Sequence, residues 1–363
     1  MNAIEALCAA ARDVSGPARP AVESVVGRIA PLASDTERAA LVDAAVARLV
    51  GLGSLAAMLA DPDVDEVLVN GDQVWVERAG ELAAAGHIDA DEVAVVLERI
   101  LAPIGRRLDL GQPIVDARLV DGSRLCAVIA PVAVDGTCVA IRRSARRAMS
   151  IAAFADDAVA TVLGGLVAAR ANIVVSGATS SGKTTLLGAL VAALPPTERI
   201  IVIEDTTELD VGRGRHAVRL EARRPSADGV TPIDLAALVR TALRLRPDRI
   251  VVGEVRGDEV LAMVLAMNTG HDGSLATVHA NSALDALHRL ETLIVQAAPG
   301  WPLRAVREQL TRSIDAIVHL DRGGNGRRRV REVVEVVVSA ESPAVRPVVA
   351  DGEVVGTLTR SRR

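Results

Sequence analysis

Between Asn172 and Thr185 the chain reads as an apolar strand, Ile173-Val174-Val175, running into the small-residue loop Ser176-Gly177-Ala178-Thr179-Ser180-Ser181-Gly182. Lys183, Thr184 and Thr185 follow, and Leu186, Leu187 and Leu190 carry the pattern on as a helix. Every fixed position of G-x-x-x-x-G-K-[ST] is met, from Gly177 through Gly182 and Lys183 to Thr184. A loop of this kind turns consecutive backbone N–H groups toward one anion, and the helix after it adds the partial positive charge of its N-terminus. The stretch from Gly177 to Thr185 is therefore the expected phosphate cradle, with Lys183 reaching the β- and γ-phosphates and the Thr184 hydroxyl holding Mg2+. Lys183 is also the only lysine of the chain; every other cation among the 41 is arginine. A compact ammonium on a thin stem is kept where a planar guanidinium would not fit in the same way.

With 363 residues, half of them apolar, the chain is long enough for two or three domains with a sizeable core. That core has to be aliphatic, because there is no Tyr, one Phe (Phe154) and two Trp (Trp75 and Trp301). Scarce aromatics argue against recognition by base stacking. A net charge of −5 argues against a general nucleic-acid binder, so no specific nucleic acid is expected as a partner. Cys8, Cys126 and Cys138 are odd in number and show no C-x-x-C spacing, which suits small apolar side chains in a reducing cytosol. Residues 1–20 lack a basic start followed by an apolar run, and the best apolar stretches break at Asp156-Asp157 or Arg170. The expected location is cytoplasmic, with any association with the inner face of the plasma membrane made through protein partners.

Residues 1–60 are Ala-rich with apolar residues at helical spacing, and read as a helical extension broken near Pro17, Pro20, Pro31 and Gly51-Gly53. Residues 61–143 read as a small α+β domain. Val67–Val69 and Val74–Val76 flank the turn Asn70-Gly71-Asp72, and Asp91–Ile104 reads as a helix. Short strands are expected around Ala117–Leu119, Leu125–Ile129 and Cys138–Ile141, joined by Asp121-Gly122 and Asp135-Gly136 turns. Arg118, Arg124, Arg142 and Arg143 sit on or just after these strands, either as solvated edge charge or as ligands. The basic stretch 144–150 reads as a linker. From residue 151 to 363 helices alternate with buried apolar strands, which implies a mostly parallel sheet covered on both faces. Strands are expected at Ile173–Ser176, Ile200–Glu204, Ile250–Gly253 and Leu275–His279, with a hairpin-like closing element over Ile314–Leu320 and Val330–Val338.

Three polar groups follow the loop at ends of apolar strands, where ligands sit in open α/β sheets. The first, Glu204-Asp205-Thr206-Thr207-Glu208, sets three carboxylates in five positions and calls for a cation such as Mg2+. The second, Ile250-Val251-Val252-Gly253-Glu254, resembles a Walker B strand with Gly253 where an Asp is usual. Glu254 would there orient or deprotonate an attacking water. The third, Gly270-His271-Asp272-Gly273-Ser274 to His279-Ala280-Asn281, brackets a short strand with two histidines. Spacings of eight and nine among His271, His279 and His288 suit no helical or finger-type metal site, which leaves phosphate sensing or a structural role.

Together these segments resemble the type II/IV secretion ATPase superfamily, and look most similar to its tight-adherence (Tad, CpaF-like) pilus-assembly branch. The Walker A loop, Ile203-Glu204-Asp205-Thr206-Thr207-Glu208-Leu209 (the family's Asp box), Arg246-Pro247-Asp248 to Gly253-Glu254-Val255-Arg256-Gly257, and Thr269-Gly270-His271 to His279-Ala280-Asn281-Ser282 (its His box) stand in the family's order. Asp61-Pro62-Asp63-Val64-Asp65-Glu66 and Asp116-Ala117-Arg118 to Arg124-Leu125 are similar to it too, so the resemblance covers Asp61 to Val337. It implies an ATPase that uses ATP and Mg2+, built from a RecA-like P-loop domain and a smaller α+β domain, forming a homohexameric ring with nucleotide between the two domains. Residue by residue, it implies Lys183 and Thr184 on phosphate and metal, Glu208 as the acid near the metal, and Glu254 as the catalytic glutamate. His271 and His279 become the His-box pair, and Arg142, with Arg118, Arg124 and Arg143, supplies amino-terminal cations. Implied partners are inner-membrane platform proteins of a secretion or pilus system and, through them, pilin or another secreted substrate. Ser180 stands where the family more often has Gly, and residues 1–60 and the tail beyond Ser339 lie outside the resemblance. Two other classes remain open: a RecA-like motor on DNA, such as a conjugation ATPase, and a nucleotide switch that does not depend on hydrolysis.

Overall fold

The computed structural model describes residues 3–12, 18–78, 80–119, 122–143, 149–179, 181–212, 214–223, 231–323, 327–337 and 344–359. Ser180 of the cradle, Asp121 of its turn, residues 144–148 of the basic linker and Gly324-Asn325-Gly326 of the closing hairpin lie outside them. The chain divides into two compact units, Met1–Ser144 and Ala145–Arg363.

The first unit begins with α1 (Ala3–Arg12), α2 (Ala18–Ile29) and α3 (Asp35–Val50), which share a small core of Leu7, Val22, Val25, Val42 and Ala45. Pro20 does not break a helix here. It falls in the first turn of α2, where its missing N–H has no partner to lose. After α4 (Leu55–Ala60) come β1 (Glu66–Asn70), β2 (Gln73–Arg78), β3 (Glu81–His87), α5 (Ala90–Leu101), β4 (Ile114–Arg118), β5 (Arg124–Val128) and β6 (Cys138–Arg142). The strands form one antiparallel sheet in the order β3-β2-β1-β6-β5-β4. Period-2 alternation sends Val67, Val69, Val74, Val76, Leu125, Ala127, Val139 and Ile141 to one face. There they meet Val93, Leu97 and Leu101 of α5. Asp89 starts α5 by accepting the Asp91 N–H at 2.8 Å.

The second unit contains α6 (Asp157–Ala168), β7 (Ile173–Gly177), α7 (Lys183–Ala192), β8 (Ile200–Glu204), β9 (Ala217–Glu221), α8 (Leu235–Ala242), β10 (Arg249–Val255), α9 (Glu259–Met267), β11 (Leu275–His279), α10 (Ala283–Ala297) and α11 (Leu303–Ser313). It ends with β12 (Ala316–Arg322), β13 (Arg328–Val337), β14 (Ala344–Ala350) and the two-residue β15 (Glu353–Val354). Nine strands make one sheet in the order β15-β14-β13-β12-β7-β11-β10-β8-β9. β12 through β9 run parallel, and β13, β14 and β15 add antiparallel strands at one side. The closing hairpin is therefore β12–β13, extended by two strands that the sequence reading did not reach. Burial on both faces explains why β7 and β8 are unbroken buried runs rather than alternating ones. Val175, Ile200 and Val202 face α6 and α7 on one side, while Val174, Ile201 and Ile203 face α8, α9, α10 and α11 on the other.

Candidate functional site

The site lies where β7, β11, β10 and β8 end. β7 gives way to the loop at Gly177, where a Cβ would fall 2.5 Å from Ser181 Oγ and 2.7 Å from the Leu320 carbonyl oxygen. Gly182, the N-cap of α7, has φ +95°, a backbone state that L side chains rarely adopt. These two glycines let the loop fold back on itself and aim the start of α7 into it. Lys183, only 7% exposed, donates from Nζ to the carbonyls of Gly177 (3.0 Å) and Ala178 (2.8 Å). Thr184 and Thr185 follow in the first turn of α7, both half-buried.

From Lys183 a line of polar groups crosses to the next strands. His279, paired in register with Gly177, places Nδ1 3.3 Å from Lys183 Nζ and Nε2 2.8 Å from Glu254 Oε1. A ring nitrogen facing an ammonium must accept, so the proton of a neutral ring sits on Nε2, the nitrogen near Glu254. The neutral ring this requires fits its setting: burial first, then the Lys183 charge, hold His279 below the usual histidine range. Glu254 Oε2 takes a hydrogen bond from the Arg256 guanidinium. That bond, and the nearby charges of Glu254, Asp205 and Glu208, hold the Arg256 pKa above its ordinary value. Burial draws Lys183 down to about 8, against the pull of Glu254.

The three carboxylates after β8 take different environments. Glu204 is buried, Asp205 is exposed and Glu208 is half-buried. Burial raises the Glu204 pKa. Among the cations beside this group are Arg256, near Asp205 and Glu208, and Arg219, near Glu204.

His271 stands apart from the other candidates. It precedes β11, whose first residue pairs with Ile173 and whose last pairs with Gly177, so one strand length of about 13 Å separates it from His279. At that far edge His271 Nδ1 lies 3.3 Å from the Ala266 carbonyl, and its own carbonyl accepts the Ser274 hydroxyl at 2.8 Å. His271 and His279 thus stand at opposite ends of β11. The first half of the His box belongs to a buried knot in which Asn172 Oδ1 accepts the Gly273 and Ser274 N–H groups at 2.9 and 3.0 Å. Arg249, 1% exposed, joins that edge through Glu198 at 2.5 Å. Nothing in the residue spacing separates this anchoring role from a chemical one.

In the first unit Arg118, Arg124 and Arg142 stand opposite one another on β4, β5 and β6, and the row continues into Glu66 of β1 and Glu77 of β2. Like charges opposite one another across strands are unfavourable without an anion to share. Arg143 is drawn off this row: its Nη1 donates to the carbonyls of Asp61 and Val64, the latter at 3.0 Å, and its N–H to the Asp65 carbonyl at 2.9 Å. It clasps the turn before β1.

Two residues beside the loop carried no sequence signal. His319 on β12 pairs in register with Ser176 and meets its hydroxyl at 2.9 Å through Nδ1. Thr277 on β11 donates its hydroxyl to the Gly253 carbonyl at 2.6 Å. Both look like ordinary strand positions until the register is known.

A strand, a glycine-bounded loop and a helix, with an acidic residue delivered by the parallel strand two places along the sheet, define a RecA-like P-loop NTPase architecture. The chain belongs to the family described as type II/IV secretion system protein, which it matches over residues 49–345. It is 40% identical over 313 residues to a putative conjugal transfer protein of Mycobacterium tuberculosis, covering 82% of this chain and 88% of that one. It is 35% identical over 292 residues to the conjugal transfer protein TrbB of Rhizobium radiobacter, covering 78% and 86%. Among solved structures it is similar in fold to the pilus retraction motor PilT with bound ADP, at a TM-score of 0.54 and 18% identity over 81% of this chain and 80% of that one. The Legionella pneumophila ATPase DotB is similar at a TM-score of 0.55 and 19% identity, over 77% and 79%. No helix among the described residues is long and apolar enough to cross a membrane.

Proposed function

We propose that this chain is an ATP-hydrolysing motor of a type II/IV secretion machine. The observation that carries the reading is the line of close polar contacts Lys183–His279–Glu254–Arg256 beside a glycine-bounded cradle. ATP is the substrate, and Lys183 with the N–H groups of residues 177–185 would hold its phosphates. The cradle fits that group: a side chain at Gly177 would fill it, and a half-desolvated ammonium at Lys183 is offered to it. Thr184 and Glu208 are the residues that would hold Mg2+, which when bound neutralises phosphate charge.

Glu254 is the group to take a proton from the attacking water, with neutral His279 fixing one oxygen and Arg256 the other. Hydrolysis gives ADP and phosphate. Arg142, with Arg118 and Arg124, is proposed to supply cations that meet the triphosphate when the protein closes on it, so that ATP favours the closed state through contacts made only there. Working as a homohexameric ring at the inner face of the plasma membrane, the motor would drive platform proteins that assemble pilin or export protein.

The resemblance of the motifs to the tight-adherence branch, read from the residues alone, favours pilus assembly as the specific task. The names of the mycobacterial and rhizobial relatives support a second reading, service in a conjugal-transfer apparatus. Complementing a deletion in the native host separates them. Loss of surface fibres that wild type restores and a Lys183→Ala variant does not supports the first reading; loss of DNA transfer alone supports the second. Turnover stimulated by DNA in vitro would point to a motor acting on DNA itself.

A further inference from the structure

Glu204 ends β8, directly beside the site, and is 4% exposed. Its Oε1 accepts the backbone N–H groups of Glu208 at 3.0 Å and Leu209 at 2.9 Å. On the neighbouring strand Glu221, the register partner of Glu204, accepts the Thr207 N–H at 2.9 Å and the Thr207 hydroxyl at 2.6 Å through Oε2. Three consecutive N–H groups, at residues 207, 208 and 209, thus end on two carboxylates, and the loop carrying Glu208 is held by side chains of the sheet. The side chain of Glu204 fills the space above Gly253. A Cβ at residue 253 would come 2.7 Å from Glu204 Cγ and 3.3 Å from its Oε1. The strand beneath continues by one residue to Glu254, and the Gly253 carbonyl is pinned by Thr277.

We infer that Glu204 is a positioning residue which, seated on Gly253, sets the Glu208 loop and the Glu254 strand end as one unit. This rests on the ATPase reading above. It accounts for the glycine where a Walker B strand usually carries an aspartate: the volume that side chain would need is occupied by Glu204. Metal-facing duty then passes to the loop that Glu204 fixes. A carboxylate that accepts two backbone N–H groups acts through geometry, so the amide of glutamine, which keeps one accepting oxygen, can replace it, and alanine cannot.

The test uses the full-length chain and five forms: wild type, Glu204→Ala, Glu204→Gln, Gly253→Ala and the Glu204→Ala/Gly253→Ala pair. Each is assayed for ATP turnover across Mg2+ concentrations and for affinity toward a fluorescent ATP analogue with and without Mg2+. Glu204→Ala is expected to lose about tenfold or more in Mg2+-dependent turnover, with analogue binding in the absence of Mg2+ within about twofold of wild type. Glu204→Gln is expected within about threefold of wild type. Gly253→Ala is expected to match Glu204→Ala, and the pair to be no worse than Glu204→Ala alone, since removing Cγ removes the collision. Wild-type Mg2+ dependence in Glu204→Ala, or losses that multiply in the pair, overturns the inference. If Glu204→Ala does not fold, Gly253→Ala decides: folded with unchanged Mg2+ dependence, it overturns the inference, and folded with weakened Mg2+ dependence, it supports it. If wild type binds the analogue but does not turn ATP over, the ATPase reading fails. Glu204 is then judged on the Mg2+ gain in binding alone, which Glu204→Ala must diminish. A wild-type protein whose analogue binding is indifferent to Mg2+ overturns both.

Discussion

His279 Nε2 and Glu254 Oε1 lie 2.8 Å apart, joining the ends of β11 and β10 directly beside the strand that delivers the phosphate loop. With Lys183 on the other ring nitrogen, the proton of a neutral imidazole belongs on the nitrogen near Glu254. A His279→Gln variant keeps a donor toward Glu254 but loses the ring that spans both groups. Its turnover is expected to fall by about tenfold, with analogue binding within about threefold of wild type. Steady-state kinetics beside a binding titration separates the two effects; unchanged turnover would remove His279 from the mechanism.

Lys183 is a group whose charge costs the free protein something. Its pKa of about 8 lies below the ordinary 10.5, so between those values the unfolded chain holds a proton that the folded chain has released. Stability from this group therefore rises as pH climbs from about 8 toward 10.5, and its burial cost is present in full below 8. Phosphate binding needs the ammonium, so analogue affinity measured without Mg2+ should fall above pH 8 by up to about tenfold per pH unit. Titrations from pH 7 to 10 check this, and a flat profile contradicts it.

Replacing that ammonium with an apolar chain should separate binding from folding. Lys183→Met is expected to abolish analogue binding while leaving Tm unchanged or slightly raised, since a desolvated charge is removed. Thermal melting in the absence of nucleotide provides the measurement.

Neighbouring arginines of the first unit should behave differently. Arg143→Gln breaks the clasp on the Asp61 and Val64 carbonyls and should lower stability by about 1–2 kcal/mol. Arg142→Gln, in the like-charge row, should leave stability within about 0.5 kcal/mol and lower turnover instead. Chemical denaturation paired with activity assays distinguishes the two.

The far edge of the second unit predicts a third pattern. Arg249→Met leaves half-buried Glu198 with Arg170 as a remaining cation and removes the bonds of a buried guanidinium to the Gly273 and Val167 carbonyls, and should cost about 1–3 kcal/mol. His271→Gln, remote from the loop, should leave turnover within about twofold of wild type. A loss in His271→Gln comparable to that of a His279 variant would restore the pairing that the strand register separates.

The α/β fold was legible because buried parallel strands read as continuous apolar runs, and the glycine-bounded loop has a residue pattern of its own. Lys183, His279 and Glu254 were found by motif, and their common edge follows from strands that all run the same way. What remained hidden depends on register and on depth. Period and spacing could not tell that Arg143 turns back onto Asp61, or that His271 and His279 lie at opposite ends of one strand. Nor could charge pattern distinguish inward Glu204 from outward Asp205, since only the space over Gly253 decides it. After Ser339, β14 carries Pro347 in its middle and β15 is only two residues long, so neither reads as a strand.

The central claim is that Glu254 acts on water at a nucleotide gripped by Lys183. Glu254→Gln keeps the size and the hydrogen-bonding reach of the side chain and removes its basicity. Full-length Glu254→Gln should bind the fluorescent ATP analogue within about threefold of wild type while its phosphate release falls by about a hundredfold or more. Phosphate release at the wild-type rate, with nucleotide still bound, would contradict it.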